Sequence, residues 1–486
     1  MTTNSRVTIA PDSGVPLWRS NAERIDAGRS ARALSPRRSH ADWRAAADRT
    51  DVVTTLEDQA ESRVRSLIPV RYQRMLSSPF AFYRGGAAIM AGDLAAQPDS
   101  GIVTQLCGDA HLANFGLFKT PERSLIFDLN DFDETARGPF EWDVKRLAAS
   151  FEIAARHRGF SDAERRAAVL AVAGSYRSAI RRAATGRVLD SWYERLDANE
   201  VRALLREATA EGTAKQHQVK VTESTIASAN EHDSARAFSK LVREVDGRLR
   251  FISTPPLIVP VEELPPDEGG LGDGELVDDR TAIPALLRAY QSTLLDQPHP
   301  IREFSYHHLA RKVVGVGSVG TRAWVILLRG TDSGDPLLLQ AKQAQRSVLE
   351  FGTDAPEYEN HGERVVRGQR LMQAASDTFL GWQRVDRADG SSRDYYIRQL
   401  SDGKASVDME RARPAGALIY ARLCGETLAR AHARAGSRLE ISSYLGAKDV
   451  FDEAVAEFAA RYADQNDADY ESVRAAAASG RITANG

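Results

Sequence analysis

Cysteine is almost missing from this 486-residue chain: Cys107 and Cys424 are the only two. That excludes a disulfide framework and a Cys-rich zinc site. Long apolar runs are missing too, and none approaches the ~18 residues of a membrane span. Met1 to Arg6 carries no apolar export segment, so a cytoplasmic location with no membrane partner is expected. An excess of one charge is also lacking: 64 Lys and Arg against 67 Asp and Glu leave −3, which gives no general reason to expect nucleic acid. The first 50 residues hold nine Arg (Arg6 to Arg49) against five acids, a modest basic arm expected to be solvated or to pack. What is present, 42% apolar and 27% charged residues, suits a soluble chain that buries a substantial core. The length allows two or three domains, or one two-lobed enzyme with insertions.

The densest chemistry lies in Leu106-Cys107-Gly108-Asp109-Ala110-His111-Leu112-Ala113-Asn114, followed by Phe127-Asp128-Leu129-Asn130-Asp131-Phe132-Asp133-Glu134. An Asp, an Asn five positions later, and an acid beyond the next hairpin is how kinase-type enzymes assemble a base and a metal site. Asp109 is the candidate catalytic residue, acting on an acceptor hydroxyl. Asn114 with Asp131 or Asp128 is the candidate metal set. Ile102 to Leu106 reads as a buried strand delivering the Asp109 loop, and Leu117-Phe118 with Leu125 to Phe127 as a hairpin. A long helix is expected from Trp142, and one helix carries Tyr83, Ala87, Met90 and Leu94. His111 is expected to hold its turn by hydrogen bonds rather than to ligate metal. Arg71, Arg74 and Arg84 could meet phosphate, but ion pairs with the acids of 128–134 are the expected use.

Some 200 residues later, Gly315-Val316-Gly317-Ser318-Val319-Gly320 matches G-x-G-x-x-G. A dinucleotide fold requires a helix to start at that motif. Here the β-type run Trp324 to Leu328 follows, which favours a β-hairpin flap over ATP phosphates. Lys342, ending the apolar run Leu337 to Ala341, needs an anionic partner because an unpaired buried ammonium is costly. Gly315, Gly317, Ser318, Gly320 and Lys342 are therefore candidate nucleotide-binding residues. The helix around His361 to Ala374 would orient the lysine, with Glu363 as candidate ion-pair partner and Gln369 as the alternative.

The block Cys-Gly-Asp-Ala-His-Leu-Ala-Asn at 107–114 resembles the His-Gly-Asp-x-His-x-x-Asn signature of aminoglycoside and choline phosphotransferases, with Cys107 in place of the leading His. Asp131 to Ala136 and Trp142-Asp143-Val144 resemble the metal-binding segment and following helix of those enzymes. The resemblance implies Asp131 as metal ligand and Asp143 as a buried acid bracing the catalytic loop. Over nearly its whole length the chain also resembles a bacterial family known only as domain of unknown function 2252. That likeness is carried by Pro79 to Gly85, the 107–134 block, Gly138 to Asp143, Val314 to Thr321 and Arg364 to Arg370. It implies no activity.

In kinases the glycine loop precedes the catalytic loop, whereas here it follows. Phosphoryl transfer needs its groups to converge in space and is indifferent to their order along the chain. The expectation is an α+β, two-lobed, protein-kinase-like (aminoglycoside phosphotransferase-like) fold with permuted element order. Its parts would be an N-terminal, partly helical arm (1–60), a large, mostly helical lobe with the catalytic loop (61–245) and a Pro/Gly/acid-rich linker and helix (246–300). A β-rich nucleotide lobe (301–410) and C-terminal helices packing on the large lobe (411–486) would complete it. The function expected is ATP- and Mg-dependent phosphoryl transfer to a small-molecule or protein hydroxyl. A non-catalytic nucleotide-binding regulator and a nucleotidyltransferase are the alternatives. A metallophosphoesterase, suggested by Gly-Asp-Ala-His, would need a Gly-Asn-His-Asp-like segment, and Asn230-Glu231-His232-Asp233 lacks the glycine. Asp109, Asn114, one of Asp128 and Asp131, and Lys342 are expected to meet in a single cleft.

Overall fold

The computed structural model describes residues 19–210, 223–227, 234–265, 268, 279–295, 298–313, 315–332, 334–350, 357–386, 390–400, 409 and 412–484. Four short strands come first. These are β1 (Val103–Leu106), the hairpin of β2 (Phe115–Lys119) and β3 (Leu125–Leu129), and β4 (Ala136–Pro139), which pairs antiparallel with β1. The β2–β3 turn passes through Arg123 at φ 65°, and β5 (Leu196–Asp197) adds to the open side of β3. A second hairpin follows, β6 (Val242–Val245) with β7 (Arg248–Phe251).

The remaining strands build one antiparallel sheet: β8 (Ile258–Pro260), β9 (Ser305–Lys312), β10 (Ala323–Arg329), β11 (Pro336–Ala344), β12 (Gly381–Asp386) and β13 (Ser392–Gln399), in the order β12-β13-β11-β10-β9-β8. The apolar run of β10 does not alternate because both faces of the sheet are covered. Trp324, Ile326 and Leu328 pack towards the helix Asp279–Gln291, whereas Val325 and Leu327 pack with Phe238 and Leu241 at the end of the helix Ser234–Leu241. The two-residue period puts Lys342 of β11 on the Leu338 and Gln340 face, opposite Leu339 and Ala341.

Long helices form the other part. Glu141–His157 is buried along most of its length through Val144, Leu147, Ala148 and Phe151. Asp162–Thr185 starts with a Ser161/Glu164 capping box and packs on Pro414–Arg434. The approach is close enough that a Cβ on Gly425 would collide with the Val172 carbonyl. Val450–Ala478 lies against Glu141–His157, so the C-terminal helices pack on the helical part. Among the described residues, no helix is long and apolar enough to cross a membrane.

The mixture is α+β, with helix and strand largely segregated. Two local expectations need correction. The helix expected through Tyr83 and Leu94 is two, Pro79–Gly85 and Ala87–Ala95, interrupted at Gly86. Residues 246–300 are not simply linker and helix, because Arg248–Phe251 and Ile258–Pro260 are strands and the latter extends the six-stranded sheet. Residues 266, 267 and 269–278 of that stretch lie outside the described residues. Within the basic N-terminal segment, expected to be solvated or to pack, Arg24, Arg32, Arg37 and Arg49 pack. Arg24 pairs with Glu440 at 2.8 Å, Arg32 and Arg37 donate to carbonyls ending the helix Arg438–Leu445, and Arg49 joins Asp93 and Asp469, each at 2.6 Å.

Candidate active site

The Asp109 loop is shaped by an acid that does not face the cleft. Asp143, in the first turn of Glu141–His157, accepts the N–H groups of Cys107 (2.8 Å) and Gly108 (3.0 Å). His432 Nε2 lies 3.2 Å from the same carboxylate and its Nδ1 is 2.7 Å from the Tyr176 hydroxyl, so the chain Tyr176–His432–Asp143 braces the loop from behind. Gly108 has φ +90°, and a Cβ there would strike the Glu134 carbonyl. The bracing role expected for Asp143 is the geometry observed.

Asp109 turns one carboxylate oxygen, Oδ1, to the guanidinium of Arg146, with Nε at 2.8 Å and Nη2 at 2.7 Å. Arg146 in turn lies 3.9 Å from the centre of the Tyr83 ring and donates to the Tyr83 carbonyl. Burial alone would raise the Asp109 carboxyl, but Arg146, helped by Arg84, holds it below its ordinary value, so it is ionised at neutral pH. His111 Nδ1 accepts the Ala113 N–H (3.2 Å), as expected of a turn-holding residue. Burial drives its pKa down to about 3, so it is neutral there, with Nε2 3.6 Å from Asp109 Oδ2.

Asn114 donates its amide to the Asp109 carbonyl at 2.7 Å, which leaves Oδ1 for a ligand. Its own carbonyl accepts the Asn130 N–H at 3.0 Å, and that bond brings Asp131 beside it. Asp131 Oδ1 is buried without a hydrogen-bond partner, 3.7 Å from the Lys342 ammonium. Asp133 takes most of that ammonium: Lys342 Nζ is 2.5 Å from Oδ2, the Tyr396 hydroxyl 2.5 Å from Oδ1, and Ser318 Oγ 3.3 Å away. Burial and the neighbouring Asp133 push Asp131 up. In Asp133 the effect of burial is outweighed by Lys342 and Tyr396, and it titrates below its ordinary value. Burial would lower Lys342, but the two acids carry it above its ordinary value, so it is a fixed cation.

The glycine run joins β9 to β10 as a hairpin connection, not as a strand entering a helix. Gly315, Val316, Gly317 and Ser318 roof a cleft of about 440 Å³ whose floor includes Asp109, His111, Asn114, Asp131, Asp133 and Glu134. Gly320 is not part of the roof. At φ +89° it lies against Arg63 and its carbonyl accepts the Val64 N–H at 2.8 Å. The roof is held by the segment before the catalytic loop: Arg63 donates to the carbonyls of Gly317 (2.8 Å) and Val319 (2.5 Å), and Arg74 to that of Gly315 (2.6 Å). Arg71 bonds Gln59 and the Gly85 carbonyl. Arg71 and Arg74 thus reach oxygens of neutral groups and make no ion pair with 128–134 among the described residues.

Two expected site residues lie elsewhere. Asp128 has its oxygens occupied by the N–H groups of Leu129 (2.9 Å) and Ala374 (2.8 Å), tying β3 to the segment after the helix His361–Met372, away from the cleft. Asp131 is therefore the better placed ligand. Glu363 pairs with Arg367 at 3.2 Å on the outer side of that helix, while Lys342 bonds Asp133. The helix is coupled to the site by Arg364 instead, which donates to the carbonyls of Asp133 and Gln345, each at 2.8 Å, and to that of Thr135. Gln369 bonds Gln373, not the lysine.

Sequence reasoning missed Asp133, Arg146, Arg63 and Glu134. Arg146 had a signal, since three residues after Asp143 on a helix falls on the same face. Asp133 had a weaker one, as a second acid two residues from Asp131. Glu134, accepting the Val348 N–H at 2.8 Å, is pushed up to about 7 by burial against that bond and Arg364.

Asn114 Oδ1 and the unsatisfied Asp131 Oδ1 are hard oxygen donors, which fits Mg²⁺, an ion usually held by one or two protein oxygens and completed by phosphate and water. Among the described residues no group of three or more His, Cys, Asp and Glu side chains forms a full metal cage. Asn230 to Asp233, the segment relevant to a metallophosphoesterase, lies outside the described residues. No match was found among curated proteins or among solved structures. The family model for an uncharacterized protein conserved in bacteria, DUF2252, matches residues 63–476, and the chain belongs to that family.

Proposed function

We propose that the protein is an ATP- and Mg²⁺-dependent phosphotransferase of permuted, protein-kinase-like fold, acting on a hydroxyl acceptor. The observation that carries this reading is the meeting of Asp109, Asn114 and Asp131 under the glycine hairpin, with Lys342 of β11 bound among the same acids. Glycine hairpin, lysine on the third strand and then a helix is the succession of a kinase nucleotide lobe. The β9–β10 hairpin, Lys342 on β11 and the helix His361–Met372 follow it. Glu363 departs from that scheme, since Asp133 holds the lysine.

In this reading Asp109, ionised by Arg146, uses Oδ2 to orient or deprotonate the acceptor hydroxyl. General-base help of this kind is worth roughly 10²–10⁴ in rate. Asn114 and Asp131 would hold Mg²⁺, which supplies charge neutralisation at the phosphates. Lys342 fixes the acids relative to the sheet, and the glycine hairpin limits water access from above.

A second reading, a nucleotide-binding regulator without turnover, draws on a specific observation: Lys342 is bonded to Asp133 and the roof carbonyls are bonded to arginines. Calorimetry with Mg-ATP on wild type, Asp109→Asn and Lys342→Ala, beside turnover with labelled ATP and a panel of small alcohols and proteins, decides between them. The enzyme reading requires Asp109→Asn to bind ATP nearly as wild type and to transfer nothing. Binding without consumption by wild type across the panel favours the regulator, and no ATP binding with Mg²⁺ or Mn²⁺ removes both.

A further inference from the structure

The wall between the glycine hairpin and Asp109 is built from the segment 59–87 and carries the guanidinium groups of Arg63, Arg71 and Arg84. Arg63 and Arg84 line the cleft there, and Arg71 stands directly behind, its Nη2 bonded to Gln59 (2.8 Å) and to the Gly85 carbonyl (3.4 Å), both residues of the cleft lining. Arg71 is completely buried, yet its Nε and Nη1 have no hydrogen-bond partner, and the buried Nε of Arg63 has none either. Among the described residues neither side chain has a carboxylate within salt-bridge distance.

Arg434 is likewise held by carbonyls alone, but several other enclosed arginines have a carboxylate. Arg49 has Asp93 and Asp469, Arg177 has Asp452 at 2.8 Å, and Arg146 has Asp109. A buried cation without a counter-ion is costly, and carbonyl oxygens offset only part of that cost. Burial accordingly pulls Arg71 well below its ordinary value and Arg63 down to about 10. The ammonium of Lys342 is already matched by Asp133 and Asp131. Arg346, which also lines the cleft, pairs with Glu350 at 3.4 Å. The guanidinium groups of the 59–87 wall are the positive charge set nearest to Asp109 and the glycine hairpin.

We propose that Arg63 and Arg84, with Arg71 as a positioning residue behind them, form a phosphoryl-binding site that takes the phosphate groups of the nucleotide or a phosphate carried by the acceptor. The proposal rests on the phosphotransferase reading, and its test separates the two. Arg84, Asp109 and His111 line the same cleft, so a phosphate beside Arg84 would lie close to the candidate base. Guanidinium groups suit this because they present planar pairs of N–H donors to phosphate oxygens.

The experiment is calorimetry on the full chain with Mg-ATP, inorganic pyrophosphate, and inorganic phosphate added to ATP-saturated protein, for wild type and Arg84→Gln. Weakening of Mg-ATP by about 10-fold or more in the variant, with pyrophosphate competing against ATP, assigns the wall to the donor's phosphates. Unchanged Mg-ATP with loss of inorganic phosphate binding in the variant assigns it to the acceptor's phosphate. If wild type ignores ATP but binds pyrophosphate or phosphate, and Arg84→Gln does not, the wall stands and the phosphotransferase reading falls. Equal binding of every probe by both proteins, or no binding of any by wild type, overturns the proposal. Should Arg84→Gln fail to fold, phenylglyoxal labelling of wild type replaces it: pyrophosphate must shield Arg84 and Arg63 in the peptide map, and labelling unaffected by pyrophosphate overturns the proposal.

Discussion

Lys342 and Asp133, 209 residues apart, meet at 2.5 Å and join the six-stranded sheet to the catalytic segment. The lysine has 3% of its side chain exposed and the aspartate 26%, so the pair is screened on one side only. Removing the cation leaves Asp131 and Asp133 close together with only the charge of Arg398 to offset them. Lys342→Met is expected to destabilise the fold by about 3 kcal/mol, the low end for breaking a buried pair because Asp133 keeps some water. Chemical denaturation of Lys342→Met, Asp133→Asn and the double variant checks this. The double variant must lose less than the two single losses added together.

The two candidate metal acids separate by function. Asp131→Asn is expected to raise the Mg²⁺ concentration for half-maximal turnover by about 10-fold or more, since it halves the protein's donor set for that ion. Asp128→Asn should leave the Mg²⁺ dependence alone and instead cost about 1–3 kcal/mol of stability, because an amide N–H would face one of two backbone N–H groups. Mg²⁺ titrations of activity and denaturant melts on both variants test the pair together.

How these acids sort was only partly readable beforehand. The Asp109-to-Asn114 spacing, the β2–β3 hairpin, the glycine hairpin and Lys342 at a strand end are local patterns, and short-range sterics and side-chain periodicity make local patterns legible. The lysine's partner is not local. Glu363 looked suitable because it sits on the neighbouring helix, but that helix turns Arg364 inward and Glu363 outward, a rotation set by packing against the sheet. Asp128 ends up on the strand Leu125–Leu129 and Asp131 just beyond it, and only the position of Ala374 shows which one is occupied. The three-residue strand Ile258–Pro260 is too short to show a period beside its Pro-rich neighbours.

Glu134 provides a stability signature in the neutral range. Its carboxyl is raised to about 7, against an ordinary value near 4.5, chiefly by burial. A raised acid holds its proton more tightly in the folded state, so its contribution is intact below pH ~4.5 and is lost as pH rises through about 7. Glu134→Gln, which keeps an acceptor for the Val348 N–H and removes the charge, should therefore stabilise the protein more at pH 8 than at pH 5. The gain should be on the order of 1–2 kcal/mol after allowance for its partial exposure. Thermal melts of both proteins across pH 5 to 8 read it directly, and a constant difference between them would exclude the titration of Glu134 as the cause.

Arg146 controls the ionisation of Asp109, and the sign of its effect is fixed by the geometry. With Nε and Nη2 on Oδ1, it holds the folded carboxyl below its ordinary value despite burial. A depressed acid contributes stability that is present above the unfolded pKa of ~3.9 and lost as pH falls through the lower folded value. Arg146→Gln removes the cation but keeps a donor, so burial dominates and the carboxyl moves upward. The variant should lose about 3 kcal/mol at pH 7, the low end for removing one partner of an enclosed ion pair, and the loss should shrink as the pH is lowered towards 4. If Asp109 is the base, the acid limb of the pH–rate profile must move to higher pH in the same variant, by one unit or more. A merely structural Arg146 would lower activity at every pH without moving that limb, so the profile distinguishes a residue that tunes the base from one that only supports the helix.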